Sequence, residues 1–280
     1  MLLVDGFGIP PAGWPDSIYA EYCPREFIAF CAAYARPLDA GLGVAGLPQS
    51  ATGQSAILTG VNTAAVMNAH QQGFPGLRLR KIIQRRNLFK TLLAQEKTVT
   101  FANAYVRFSV SELKQRRLCS VTTVMADQEL KKVRTLADLK EDNAVYHDLT
   151  RETLHPDFAG AGLRLISPAE AAAHLARIAR AYDFTLFEYF QTDRAGHLPD
   201  PVFRQKILRE FSAFVLALPA LLADSMMLMI TSDHGNCEEP ATKTHTRNPV
   251  PLMICGPAAP KQELSIRSIT EVHDLICRLL

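Results

Sequence analysis

Short, uninterrupted apolar runs recur along the chain, and the sharpest of them end on an acid or a glycine turn. "MLLVDGFG" is the first, a strand-length run closed by Asp5 and Gly6. "FTLFEYF" (184–190), "MMLMITS" (226–232) and "VPLMICG" (250–256) read as buried strands, and "TVTFANA" (98–104) as another. Helical stretches separate them. Residues 25–34 form one, and residues 88–96 a second with Asn87 as its N-cap. Ser167-Pro168-Ala169-Glu170 is a capping box with proline at the first helical position, opening a helix to about Tyr182. A further helix covers roughly 201–222. This strand–helix alternation predicts an α/β fold.

The stretch from 105 to 165 has a different texture. "ELKQRR" and "ELKKVRTLADLKED" are charged and weakly periodic, which predicts a small inserted cap. The expected division is therefore 1–104 for the first part of the core, 105–165 for the cap and 166–280 for the rest of the core. The longest apolar stretch, Phe211 to Ile230, is broken by Pro219 and Asp224, so it predicts a buried helix leading into a strand, not a membrane span.

Composition narrows the class. A chain of 280 residues with 48% apolar and 21% charged residues suits one large globular domain, or one domain carrying an insertion. A net charge of +2 supplies no global attraction to nucleic acid or acidic membranes, and neither is expected as a partner. Six cysteines without C-x-x-C spacing read as reduced thiols, and no basic-then-apolar leader is visible. A cytoplasmic protein is expected.

The acids carry the chemistry. Asp5, Asp193 and Asp233 each follow a predicted strand, and the carboxyl ends of strands line the ligand crevice of open α/β sheets. Histidines accompany them: His197 lies four residues after Asp193, His234 is adjacent to Asp233, and His245 follows in "TKTHTRNPVP". Carboxylate and imidazole together suit zinc, manganese or iron(II). Six such ligands exceed what one catalytic ion with open positions needs. Two ions about 3.5–4 Å apart, clamping the oxygens of a phosphoryl transfer, fit better. A lone strand-end aspartate is usually a turn residue. Here, coincidence would have to recur at several corresponding positions. His70, His147, His155, His174 and His273 lack this context and are expected to be structural.

"GLPQSATGQSAILTG" (46–60) supplies a nucleophile for such a site. Gly46, Pro48 and Gly53 shape a strand-to-helix turn, and a helix N-terminus favours an anion. A serine hydroxyl needs a base or a metal to become nucleophilic near neutral pH. By these arguments Ser50, Thr52 and Ser55 are all eligible.

"LLVDGFG", "PQSATGQSAILTG", "TDRAGH" and "TSDHGN" followed by "THTRNPVP" together resemble the alkaline phosphatase superfamily. The likeness is strongest to its metalloenzyme branch, which holds cofactor-independent phosphoglycerate mutase and phosphopentomutase. The resemblance implies a three-layer α/β sandwich with a mostly parallel central sheet and a small inserted cap. It selects Ser50 as nucleophile, because Gln49 to Gln54 matches the frame of the mutase Asn-Ser-x-x-Gly-His motif. It implies one metal held by Asp193, His197 and His245, and another held by Asp5, Ser50, Asp233 and His234, with Mn2+ or Zn2+ as the two ions. Gln49 and Gln54 stand where the mutase has Asn and His. The cap region is shorter than the mutase's second domain and lacks its "GGVHSH"-like and "DGRD"-like segments.

The expected reaction is phosphoryl transfer through a phosphoserine on Ser50, with a small phosphorylated metabolite as substrate. The reduced cap favours hydrolysis over return of the phosphate, hence a phosphatase ahead of a phosphoglycerate mutase or other phosphomutase. Gln54, Arg107, Lys243 and Arg247 are candidate substrate-binding residues. A sulfatase ranks low because Ser50 lacks the following arginine of a formylglycine motif. A non-catalytic metal-stabilised binding protein is the third alternative.

Overall fold

The computed structural model describes residues 1–262 and 264–280. Its centre is a six-stranded sheet with strands β1 (Leu2–Val4), β2 (Arg36–Leu38), β3 (Val99–Phe101), β6 (Phe184–Tyr189), β7 (Leu228–Ser232) and β8 (Val250–Cys255). A separate two-stranded ladder joins β4 (Ala104–Tyr105) to β5 (Arg134–Thr135). The large sheet runs in the order β2-β8-β7-β1-β6-β3. Parallel pairing joins β3, β6, β1 and β7, while β8 runs antiparallel to both its neighbours. Every residue of β1, β6 and β7 is buried, as expected for parallel strands covered on both faces.

The two faces follow from side-chain alternation. Leu2 and Val4 point into one core cluster with Phe187 and Tyr189, and Leu3 points into the other with Leu186 and Met229. Helices Arg25–Tyr34, Pro168–Ala179 and Pro201–Ala217 cover the first face. Helices Ser50–Thr59, Leu77–Arg85, Leu88–Ala94 and Val272–Leu279 cover the second. The three-layer α/β expectation holds.

Local signals mark several helix ends. The Asn87 side chain accepts from the Lys90 N–H, and Ser167 and Glu170 form the capping box that their spacing predicts. The 98–104 run is divided, because strand β3 stops at Phe101 and Ala104–Tyr105 pairs elsewhere. The basic run before residue 88 is itself a helix, Leu77–Arg85, with Leu79 and Ile83 buried. Within 105–165, helix Val121–Glu129 packs into the second core cluster, whereas Leu139, Ala144, Tyr146, Leu154 and Leu163 gather in a small cluster of their own. All six cysteines are free. Among the described residues no helix is long and apolar enough to cross a membrane; Phe211–Ile230 divides into the end of a helix and strand β7.

Candidate functional site

Strand register brings the acids together. Val4 is paired with Tyr189 on one side and with Ser232 on the other, so three neighbouring parallel strands end level. The chain continues at once into Asp5, into helix Gln191–His197 carrying Asp193, and into Asp233-His234. Gly6 makes the approach possible. Its φ is +71°, and a Cβ there would lie 2.8 Å from the Asp193 Cα.

The side chains converge. His234 Nε2 lies 3.0 Å from Asp5 Oδ1 and 3.8 Å from Asp233 Oδ1. His197 and His245 place Nε2 3.4 and 3.5 Å from Asp193 Oδ1, and 3.1 Å from each other. The His234 and His245 rings stack at 3.7 Å. Two donor sets are tight enough to surround an ion: Asp5–Asp233–His234 and Asp193–His234–His245. His234 belongs to both, and His197, at the exposed edge, borders the second.

Ser50 is the first residue of helix Ser50–Thr59, preceded by the extended Gln49. Its hydroxyl does not cap the helix. It lies 3.0 Å from His234 Nε2 and 3.5 Å from Asp5 Oδ1. Thr52 instead donates to the Gln49 carbonyl and accepts from the Gln71 N–H, and the Ser55 hydroxyl is buried without a partner. Of the three hydroxyls, Ser50 reaches the carboxylates. Gly53 lets the helix approach them, since a Cβ there would sit 2.6 Å from the Asp233 carbonyl oxygen.

A supporting layer orients these groups. His245 Nδ1 faces the Pro48 carbonyl at 2.8 Å, and His197 Nδ1 faces that of Lys243 at 3.2 Å. Asn236 donates to Asp193 Oδ1 at 2.6 Å. The buried Glu238 accepts from the Gly8 and Asn236 N–H groups through Oε2, and from Thr246 and Asn248 through Oε1. It thereby ties the segments after Asp5, after His234 and after His245 to one carboxylate.

Electrostatics favour a cation. Burial, reinforced by the charge of Asp233, raises the Asp5 carboxyl well above its usual range, and burial likewise raises Asp233. Burial opposes a charge on His234, yet Asp233, Asp5 and Asp193 overcome it and push the imidazole up to about 10. Asp193 is half-buried, and although that burial also raises it, hydrogen bonding to His245 and the nearby His234 charge bring it down to about 2. Asp233 Oδ2 is buried without a hydrogen-bond partner. Three carboxylates, a shared imidazole and an orphaned buried oxygen fit divalent ions of the zinc or manganese type.

The site opens into a cavity of about 540 Å³, whose lining includes Asp5, Ser50, Asp193, Gln54 and Arg107. Gln54 is buried and donates to Asp5 Oδ2 at 3.3 Å. Arg107 is bound to Asp157 at 2.6 Å and to the Thr153 carbonyl at 2.5 Å. Lys243 and Arg247 lie exposed beside His245 and do not line the cavity.

Two further residues line this cavity: Glu188, which sequence reasoning passed over, and His147, which it expected to be structural. Glu188, in strand β6, is buried, accepts from Thr122 and is pushed up to about 7 by burial. His147 faces Gln191 at 2.7 Å and is held by burial at about 4. A buried glutamate inside an otherwise apolar strand was the available signal for the first. For His147 no local signal exists.

Residues 166–277 match the family model of the Metalloenzyme superfamily. That match spans less than half of the chain. The metalloenzyme match is to the segment holding Asp193, His197, Asp233, His234 and His245. A 2,3-bisphosphoglycerate-independent phosphoglycerate mutase of Desulforudis audaxviator is 33% identical over 116 residues, covering 39% of this chain and 22% of the mutase. A phosphopentomutase of Dictyoglomus thermophilum is 39% identical over 62 residues, 22% of this chain and 16% of that enzyme. The alignments thus span about a fifth of those relatives or less. Two solved structures share the fold over nearly the whole chain. One is a Pyrococcus horikoshii protein (TM-score 0.58, 13% identity, 99% of this chain and 95% of that one). The other is a cold-active alkaline phosphatase of Shewanella (TM-score 0.57, 11% identity, 100% and 99%). The resemblance drawn from the motifs therefore holds for the fold and, over residues 166–277, for the metalloenzyme sequence pattern.

Proposed function

We infer that this protein is a metal-dependent phosphatase acting on phosphate monoesters through a phosphoserine on Ser50. The observation that carries the reading is the position of the Ser50 hydroxyl, at a helix N-terminus and 3.0 Å from a histidine shared by two carboxylate–imidazole sets. Asp5, Asp233 and His234 would hold one ion with Ser50, and Asp193, His197 and His245 the other. When bound, the pair lowers the serine pKa and offsets the charge that builds on the phosphoryl oxygens.

The chain's own groups supply the rest. The Ser50 oxygen attacks phosphorus, the ester P–O bond breaks, and the departing alkoxide takes up a proton to leave as the alcohol. Water then attacks phosphorus and releases inorganic phosphate, returning Ser50 to its hydroxyl form. In the first helical turn the Thr52 and Gly53 N–H groups donate to the Gln71 and Gln49 carbonyls, which leaves those of Ser50 and Ala51 to stabilise the phosphoryl group. Gln54 restrains Asp5, and Asn236 restrains Asp193. Arg107, held by Asp157, shapes the cavity wall, while Lys243 and Arg247 stand at the outer edge beside His245.

Hydrolysis is favoured over mutase action because the segment over the site is small and its cavity opens to solvent, where water competes with any retained alcohol. The substitution Ser50→Ala is expected to abolish the acid-stable phosphoenzyme and to lower turnover by roughly 10³-fold or more. Incubation of both proteins with Mn2+ or Zn2+ and a radiolabelled monoester checks this, and a labelled Ser50→Ala protein refutes the assignment.

A further inference from the structure

The cavity beside Ser50 is polar at one end and mostly aromatic along the rest. Asp5, Ser50, Gln54 and Asp193 form the polar end. Phe74, Phe101, Tyr105, Phe108, Tyr146 and Phe190 line most of the remainder, and the polar groups among them are bound within the protein: Asn103 to the Glu188 backbone, Ser120 to Thr123, and Glu188 to Thr122. The Tyr146, His147 and Phe190 rings follow one another at centroid spacings of 4.1 and 4.5 Å, each tilted to the next by 40° and 32°, forming a continuous aromatic wall. Phe74 and Leu118 stand at the mouth, 45% and 38% exposed, and so keep large apolar surface in water. Both arginines of the lining are already engaged: Arg107 by Asp157 and the Thr153 carbonyl, and Arg194 by Gln191 Oε1 at 3.0 Å. A substrate carboxylate or a row of sugar hydroxyls would find few free partners along these walls. An apolar pocket of about 150 Å³ suffices for benzene, so 540 Å³ accommodates a fused ring system together with its phosphate.

We propose that the substrate is a monoester whose alcohol carries a flat aromatic or heteroaromatic ring system, seated against Phe74, Phe108 and the Tyr146–His147–Phe190 wall. This rests on the phosphatase reading above and names its substrate class. Phosphoglycerate- and phosphopentose-type esters are poor substrates on this proposal, because they leave the aromatic surface wet.

The test compares 2-(1-naphthyl)ethyl phosphate with glycerol phosphate on the Mn2+- or Zn2+-loaded protein, both esters having alkyl leaving groups. The naphthyl ester is expected to have a kcat/KM at least about 100-fold higher, carried mainly by KM. Phe74 and Phe108 lie partly exposed outside the core clusters, so Phe74→Ala and Phe108→Ala are expected to fold. Each is expected to reduce the ratio between the two esters by about 10-fold. Equal turnover of both esters overturns the substrate class and leaves the phosphatase reading standing. If neither ester is turned over, the phosphatase reading fails, and calorimetry with 2-(1-naphthyl)ethylphosphonate decides the cavity separately. Binding weakened by Phe108→Ala supports an aromatic ligand, and absence of binding overturns it.

Discussion

Glu188 shows how one side chain records its surroundings. It lies in a strand whose residues are all buried, with Thr122 as a hydrogen-bond donor, and burial raises its carboxyl from 4.5 to about 7. The folded state therefore binds this proton more tightly than the unfolded chain does. The resulting stabilisation is complete below about pH 4.5 and is lost as pH rises through about 7. In metal-free protein, the urea midpoint of the wild type is expected to fall relative to that of Glu188→Gln across this window. A constant difference between the two proteins from pH 5 to 8 would remove the assignment. The same scale explains Ser50. Four hydroxyls crowd residues 50–59, and local chemistry does not rank them; orientation does, since Thr52 turns back to Gln49 while Ser50 faces His234.

At the scale of elements, the site is a meeting of loops with helices Ser50–Thr59 and Gln191–His197. Helix ends were legible at Asn87 and Ser167 because capping is a local exchange between a side chain and N–H groups two or three residues away. Glu238 was not legible, because its four donors come from three loop segments that only the fold brings together, Gly8 from 230 residues away. In Glu238→Gln one carboxylate oxygen becomes an NH₂ group facing donors. The loops bearing Asp5, His234 and His245 then lose their common anchor. A 10–100-fold loss of Mn2+ or Zn2+ affinity is expected, measured by competition with a chromophoric chelator. An unchanged affinity would show that the loops hold their ligands without it.

Across the whole molecule, a shared strand register concentrates negative charge at one rim of the sheet. Asp5, Asp193 and Asp233 face one another there with His234 among them. Divalent ions binding this rim in the folded state, and not in the unfolded chain, stabilise the fold by mass action, about 2.7 kcal/mol at 100 times Kd. Chelation is expected to lower the melting temperature. Added Mn2+ or Zn2+ is expected to restore it in a concentration-dependent way, followed by calorimetry. A melting temperature indifferent to both would exclude metal binding at this rim.

The α/β class, most strand positions and the clustering of acids and histidines at strand ends were determined by sequence alone. They rest on local periodicity and on residue type at the close of each run, which need no knowledge of distant contacts. Tertiary structure alone decided the rest. Level strand ends brought Asp5, Asp193 and Asp233 to a single rim, and packing split 105–165 between the main core and a small cluster over the site. The aromatic cavity wall likewise draws Phe74, Phe108, Tyr146 and Phe190 from separate stretches. Each of these features is a distance between residues far apart in the chain, set by sheet order and helix packing.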